Sequence, residues 1–175
     1  MKKLDIEKMR KAVEDWVSQP QHAIKYFPAF QIVAQLIEEV AELELAINDT
    51  ELSQSTSHDD IKKEVGDVLF VLTCLANSKN LDVQVVVDES LSVESEQLIC
   101  LHMYRKTGDI SREIQHTDGF KKKKPGEEKN GLPKNIGHML HLIHALCHVC
   151  MFDINECFKL SMQKREIRDK NRFLK

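Results

Sequence analysis

Apolar residues recur in steps of three and four along almost the whole chain, the spacing that lines one face of an α-helix. Ile6, Met9, Val13 and Trp16 describe a first amphipathic helix, and Ser18-Gln19-Pro20 ends it. Pro28 suits the first turn of a second helix running to about Ile47, with Leu36, Val40, Leu43 and Ile47 as its apolar stripe. Asn48 to Ser57 reads as a polar loop, and Ser57 as the N-cap of a third helix to about Asn77. That third helix is apolar nearly all round (Val65, Val68, Leu69, Phe70, Val71, Leu72, Leu75), the pattern of a helix at the centre of a bundle. Asn80 to Val93 is assigned to helix from its context, although Val85-Val86-Val87 favours strand locally. Further helices are expected from Ser95 to Gln115, Asn135 to Met151 and Ile154 to Asn171. A loop carrying Gly119, Lys121 to Lys124, Pro125, Gly126 and Gly131 spans Gln115 to Lys134. The expected fold class is all-α, a helical bundle.

An internal repeat underlies the pattern. Sliding the chain by 71 residues lays Glu64 to Leu72 over Asn135 to Ile143 without a gap. Gly66 meets Gly137, Leu69 meets Leu140, Leu75 meets Leu146, Asp82 meets Asp153 and Ser90 meets Ser161. The apolar positions between them match in type. A shift of 67 lays Ala41-Glu42-Leu43 over Gly108-Asp109-Ile110. The chain then divides into 1–94, a leading helix plus one helical unit, and 95–175, a degenerate copy packed on the first as a pseudo-dimer within one compact domain.

The 175 residues suffice for one domain with a real core. With 42% hydrophobic and 30% charged residues, the chain is neither a disordered tail nor a membrane protein. A net charge of −3 lacks the basic surplus of a general nucleic-acid binder. The stretch from Asn135 to Phe152, free of Asp, Glu, Lys and Arg, has the length of a membrane span. It carries His138, His141, His144 and His148, which excludes that reading. Five cysteines, an odd number, fit reduced thiols, and the charged N-terminus has no apolar signal core behind it, so a cytoplasmic location is expected.

The candidate chemistry lies in acidic residues. Glu38, Glu39 and Glu42 flank the apolar stripe of the second helix at spacings where like charges repel by a few tenths of a kcal/mol. Glu64 and Asp67 share the face of Val68, Val71 and Leu75, so burial of that face desolvates both carboxylates. A divalent metal suits five converging oxygen ligands, and with no His or Cys in the set Mg2+ (or Mn2+) is favoured over zinc.

Glu38-Glu39-Val40-Ala41-Glu42, followed by Glu64-Val65-Gly66-Asp67, resembles the EExxE…ExxD signature of the all-α nucleoside triphosphate pyrophosphohydrolases, the group that includes MazG. The resemblance covers about Phe30 to Leu91. It implies hydrolysis of the α–β phosphate bond of a nucleoside triphosphate, with Mg2+, to a monophosphate and pyrophosphate, a nucleotide house-cleaning reaction. It places the metal on Glu39, Glu42, Glu64 and Asp67. Glu38, the carboxylate least needed as a ligand, is the candidate general base.

Family members commonly end in a basic stretch that reaches the phosphates. Here that stretch falls in the second unit, where Lys164 and Arg168, one turn apart, are the candidate phosphate contacts. The second unit in turn has Asn135 and His138 where the first has Glu64 and Asp67. The first unit would bring metal ligands and the second would act as a partner subunit; a homodimer of such chains is also expected. Trp16, upstream of the acidic helix, is a candidate for stacking on the base, against a plain core role. A different class of function, a tandem module that binds nucleotide or a protein without turnover, is the second reading. A third, zinc held by His141, His144, His148, Cys147 and Cys150, lacks a second ligand pair to close a tetrahedral site.

Overall fold

Asp5 starts the first helix: its side chain accepts the Lys8 N–H, satisfying one of the amides a helix start leaves unpaired. The computed structural model describes residues 4–20, 25–53, 58–87, 95–127 and 131–168, and its order is α1 (Ile6–Val17), α2 (Ala29–Ser53), α3 (His58–Ser78), α4 (Glu96–Thr117), α5 (Gly131–Val149) and α6 (Ile154–Arg168). There is no strand among the described residues. Ser95 caps α4 as expected, accepting the Leu98 N–H.

α3 is the central rod. From Val65 to Thr73 every residue is buried. It packs against α1, α2 and α6, while α4 packs against α5 and α2. Each fully buried aliphatic side chain here contributes about 1.5–3 kcal/mol. Polar locks fix the register at the margins. Arg10 Nε donates to Asn77 Oδ1 at 2.8 Å, and Asn77 Nδ2 returns a bond to the Arg10 carbonyl at 2.9 Å, tying α1 to α3. Tyr104 donates to Glu44 at 3.0 Å, tying α4 to α2.

Three expectations are corrected. α2 continues through Asn48 and Asp49 to Ser53, so the loop expected from Asn48 is helix there. Asn48, Asp49 and Thr50 are weak helix formers, but Glu51 and Leu52 are good ones, no Gly or Pro breaks the run, and weak propensities cost only about 0.7 kcal/mol or less per residue; Ser57, the expected cap, lies outside the described residues. Residues 81–87 form neither helix nor strand, and 88–93 lie outside the described residues. The loop after α4 is shorter than expected, because α4 reaches Thr117 and α5 begins at Gly131, placing Pro133 in a first turn where its missing N–H costs nothing.

The break after α3 has a local cause. Asn80 takes a left-handed conformation (φ 48°), and the Leu81 N–H bonds back to the Ala76 carbonyl at 2.9 Å, a Schellman ending. α5 ends the same way: Met151 has φ 57°, and the Phe152 N–H bonds to the Cys147 carbonyl at 2.7 Å. Asn80, Leu81 and Ala76 map onto Met151, Phe152 and Cys147 under the 71-residue offset.

Two close crossings lie at nearly the same offset, although the nearest carbonyl at the second is that of Gln84, two residues before the counterpart of Cys157. At Gly66 of α3, a Cβ would stand 2.2 Å from the Cys157 carbonyl of α6. At Gly137 of α5, a Cβ would stand 2.3 Å from the Gln84 carbonyl and 2.8 Å from Val86 Cγ2. The Val86 N–H also bonds to the Gly137 carbonyl at 3.1 Å. Gly66 with Cys157 becomes Gly137 with Val86 when each partner is moved by 71 positions.

Thermal unfolding tests these contacts. Gly66→Ala forces two backbones apart and should cost about 1–3 kcal/mol or more. Gly108→Ala, at a helical position with nothing within 4 Å, should stabilise by about 0.5–1 kcal/mol. Met151→Gly removes the exposed side chain from a left-handed position and should stabilise by about 1 kcal/mol.

Candidate metal centre

The second and third helices carry the acidic residues, and their packing brings three of them together. Oxygens of Glu39, Glu64 and Asp67 all lie within 4.8 Å of one another. Among the described residues no other group of three His, Cys, Asp or Glu side chains converges in this way, the His/Cys-rich α5 included. All five cysteines are free.

Asp67 is 2% exposed, in the middle of the central helix. A buried carboxylate at such a place requires donors, and α6 supplies three. Ser161 Oγ and Arg165 Nη2 (2.9 Å) donate to Oδ1, and Lys164 Nζ donates to Oδ2 at 2.6 Å. Gly66, without a side chain, lets α6 approach closely enough for a residue as short as Ser161 to reach. Arg165 is itself buried and lies over the Phe70 ring, 3.8 Å from its centroid, a cation–π contact in a desolvated setting.

The other two carboxylates are under-compensated. Glu64 is half-buried; its Oε1 is 4.0 Å from Lys164 Nζ, and its buried Oε2 has no hydrogen-bond partner. Burial pushes its carboxyl above the usual range, against the opposing pull of Lys164. Glu39 is pushed up to about 7, first by burial and then by the Asp67 charge. Three oxygen donors, one of them orphaned and one with weakened acidity, fit a hard divalent cation, which would relieve both defects.

Glu42 is exposed on the rim, close enough for its charge to raise both Glu39 and Glu64. Glu38 is exposed on the neighbouring flank of α2. Arg168 is exposed near the end of α6, one turn beyond Lys164. Trp16 is 8% exposed and meets Phe70 edge to face at 5.5 Å. It therefore packs in the wall behind Arg165.

Ser161 and Arg165 belong to this centre although the sequence reading did not select them. Their signal was the buried stripe Ile154, Cys157, Ser161, Arg165 on α6, which places a hydroxyl and a guanidinium on a helix's inner face.

Residues 29–92 match the model of the MazG nucleotide pyrophosphohydrolase domain. The matched segment holds Glu38, Glu39, Glu42, Glu64 and Asp67, whereas Ser161, Lys164 and Arg165 lie outside it. The chain is also 40% identical over 63 residues to the uncharacterized protein YpjD of Bacillus subtilis (strain 168). That match covers 34% of this chain and 57% of the relative, so it spans little more than half of the relative's length. No solved structure matches the chain.

Arg165 is the buried cation of the cluster, and without it the partly exposed Lys164 alone must balance Asp67 and Glu64. Arg165→Met should therefore destabilise the metal-free protein by about 3–5 kcal/mol, read by denaturant unfolding.

Proposed function

We propose that this protein is a nucleoside triphosphate pyrophosphohydrolase that uses Mg2+ or Mn2+. The observation that carries the reading is the convergence of Glu39, Glu64 and Asp67, with an orphaned Glu64 oxygen, inside a MazG segment. Glu39, Glu64 and Asp67 would hold the ion, with Glu42 closing the set from the rim. The ion would supply neutralisation of the polyphosphate and a more acidic water.

The chain's own residues divide the remaining tasks. Lys164, with Arg168 beyond it, contacts the phosphates from α6. Arg165 and Ser161 hold Asp67 in place rather than touching substrate. Trp16 backs Phe70 and Arg165 as the wall of the base side. Glu38, exposed beside the cluster, takes the proton of the attacking water as the oxygen adds to phosphorus and the α–β bridge breaks. The products are a monophosphate and pyrophosphate.

The unit 95–175 acts in this reading as a built-in partner subunit. The two matched crossings and the two matched left-handed helix ends, all at or near one offset, support a duplication. His138, buried on α5 at the position corresponding to Asp67, fits loss of acidic ligands there. A homodimer of the fused chains is part of the proposal. Phe30, Ala34, Ile37, Ala41 and Leu45 form an exposed apolar stripe on α2, with the acids Glu38 and Glu42 beside it. The exposed side of neighbouring α4 carries Leu101, Arg105 and Arg112. A two-fold mate that lays α2 on α4 covers this apolar stripe with Leu101 and leaves Glu38 and Glu42 to the acidic cluster. The five free thiols support a cytoplasmic setting; no helix among the described residues is long and apolar enough to cross a membrane.

One observation favours a second reading, binding of nucleotide or protein without turnover: Asp67 is already engaged by three donors. A panel of triphosphates with Mg2+, assayed for pyrophosphate, separates the two. The enzyme reading expects release that Asp67→Asn abolishes and that Glu38→Gln lowers by about 10²–10⁴-fold; nucleotide binding without release supports the second reading. Light scattering should give a dimer mass for the native chain and a monomer mass for Ile37→Glu/Leu45→Glu.

A further inference from the structure

The two oxygens of Asp67 are used differently. Oδ1 receives Ser161 and Arg165, both buried, the latter stacked on Phe70. Oδ2 receives Lys164, whose side chain is 29% exposed. The same ammonium is 4.0 Å from Glu64 Oε1. It thus sits between two of the three carboxylates whose oxygens converge within 4.8 Å, where a cation shared by the cluster would lie. A guanidinium locked by burial and stacking has no easy exit, whereas an ammonium on a flexible four-carbon stem at the rim has one.

We propose that Lys164 is a resident stand-in for the metal ion. Its ammonium neutralises Asp67 and Glu64 in the metal-free protein, leaves Oδ2 when the dication enters, and is thereby released toward the phosphates of the substrate. The proposal rests on the metal-dependent reading above and goes beyond it: one side chain couples the two binding events. Ammonium and dication repel and compete for the same oxygen, so Lys164 weakens metal binding. Linkage is reciprocal, so an anion that draws the ammonium away strengthens metal binding in turn. Arg165 and Ser161, on Oδ1, keep the carboxylate oriented throughout.

The test is Mn2+ titration of the full chain near neutral pH, following free Mn2+ by its electron paramagnetic resonance signal. Lys164→Met should bind Mn2+ about tenfold or more tightly than the native protein, within the range of about 5–150-fold usual for coupled sites. Lys164→Arg, which keeps the charge, should stay near the native affinity. Lys159→Met, an equal charge change at an exposed position of the same helix, should leave the affinity unchanged. In thermal melts, Lys164→Met without metal should unfold below the native protein and gain more from saturating Mn2+. Lys164→Gln gives the same readout if methionine disturbs folding. Native binding with no gain in a folded Lys164→Met or Lys164→Gln protein overturns the stand-in and leaves the metal-dependent reading intact. Absence of Mn2+ binding by the native chain and every variant overturns both.

Discussion

A carboxylate inside the unbroken buried run of the central helix, Val65 to Thr73, is the constraint on which the rest depends. Asp67 cannot remain there ionised without donors, since an unpaired buried charge costs several kcal/mol. α6 supplies them while burying Ile154 and Cys157, and Gly66 has no side chain to hold it off. The same contact sets the chemistry. By drawing α6 onto α3 it places cations from the end of the chain beside acids from its first half, with Glu39 and Glu64 completing the group. Fold stability and the candidate centre are therefore one interaction viewed from two sides.

That interaction is asymmetric within an arrangement that otherwise repeats. Gly66 and Gly137 each admit a backbone from the other half, and Asn80 and Met151 each end a helix in a left-handed turn. Only the first crossing brings acid against base; the second has His138 and the backbone of 84–86 instead. On the proposed duplication, one crossing keeps the metal ligands and the other keeps the packing, which is what a partner subunit reduced to scaffolding would retain.

Much of this was legible along the chain. Helical periodicity located the six helices of the described residues, and the near-continuous apolar run of α3 marked it as central. Glu64 and Asp67 stood out because acids on an apolar face need a partner, and Glu39 because it shares a flank with Glu38 and Glu42 at spacings where like charges repel. Ser161 and Arg165 were less visible, since their meaning lies in which helix they face, and a 3.6-residue period does not say that. Residues 81–87 misled for a related reason. They carry no breaker, and their departure from helix follows from the turn at Asn80 and from the docking of Val86 on Gly137, a contact 51 positions distant in sequence. The extension of α2 past Asn48 shows the converse: polar residues of modest propensity continue a helix when nothing forbids it.

The proposed chemistry requires the three carboxylates to form a cage for a hard dication. Crystals of the protein grown with Mn2+, with data collected for the manganese anomalous signal, test it most directly. One peak should lie within bonding distance of oxygens from Glu39, Glu64 and Asp67, with the Lys164 ammonium moved off Asp67 Oδ2. A manganese-saturated crystal in which that place holds no peak, while the ion binds elsewhere or not at all, would contradict it.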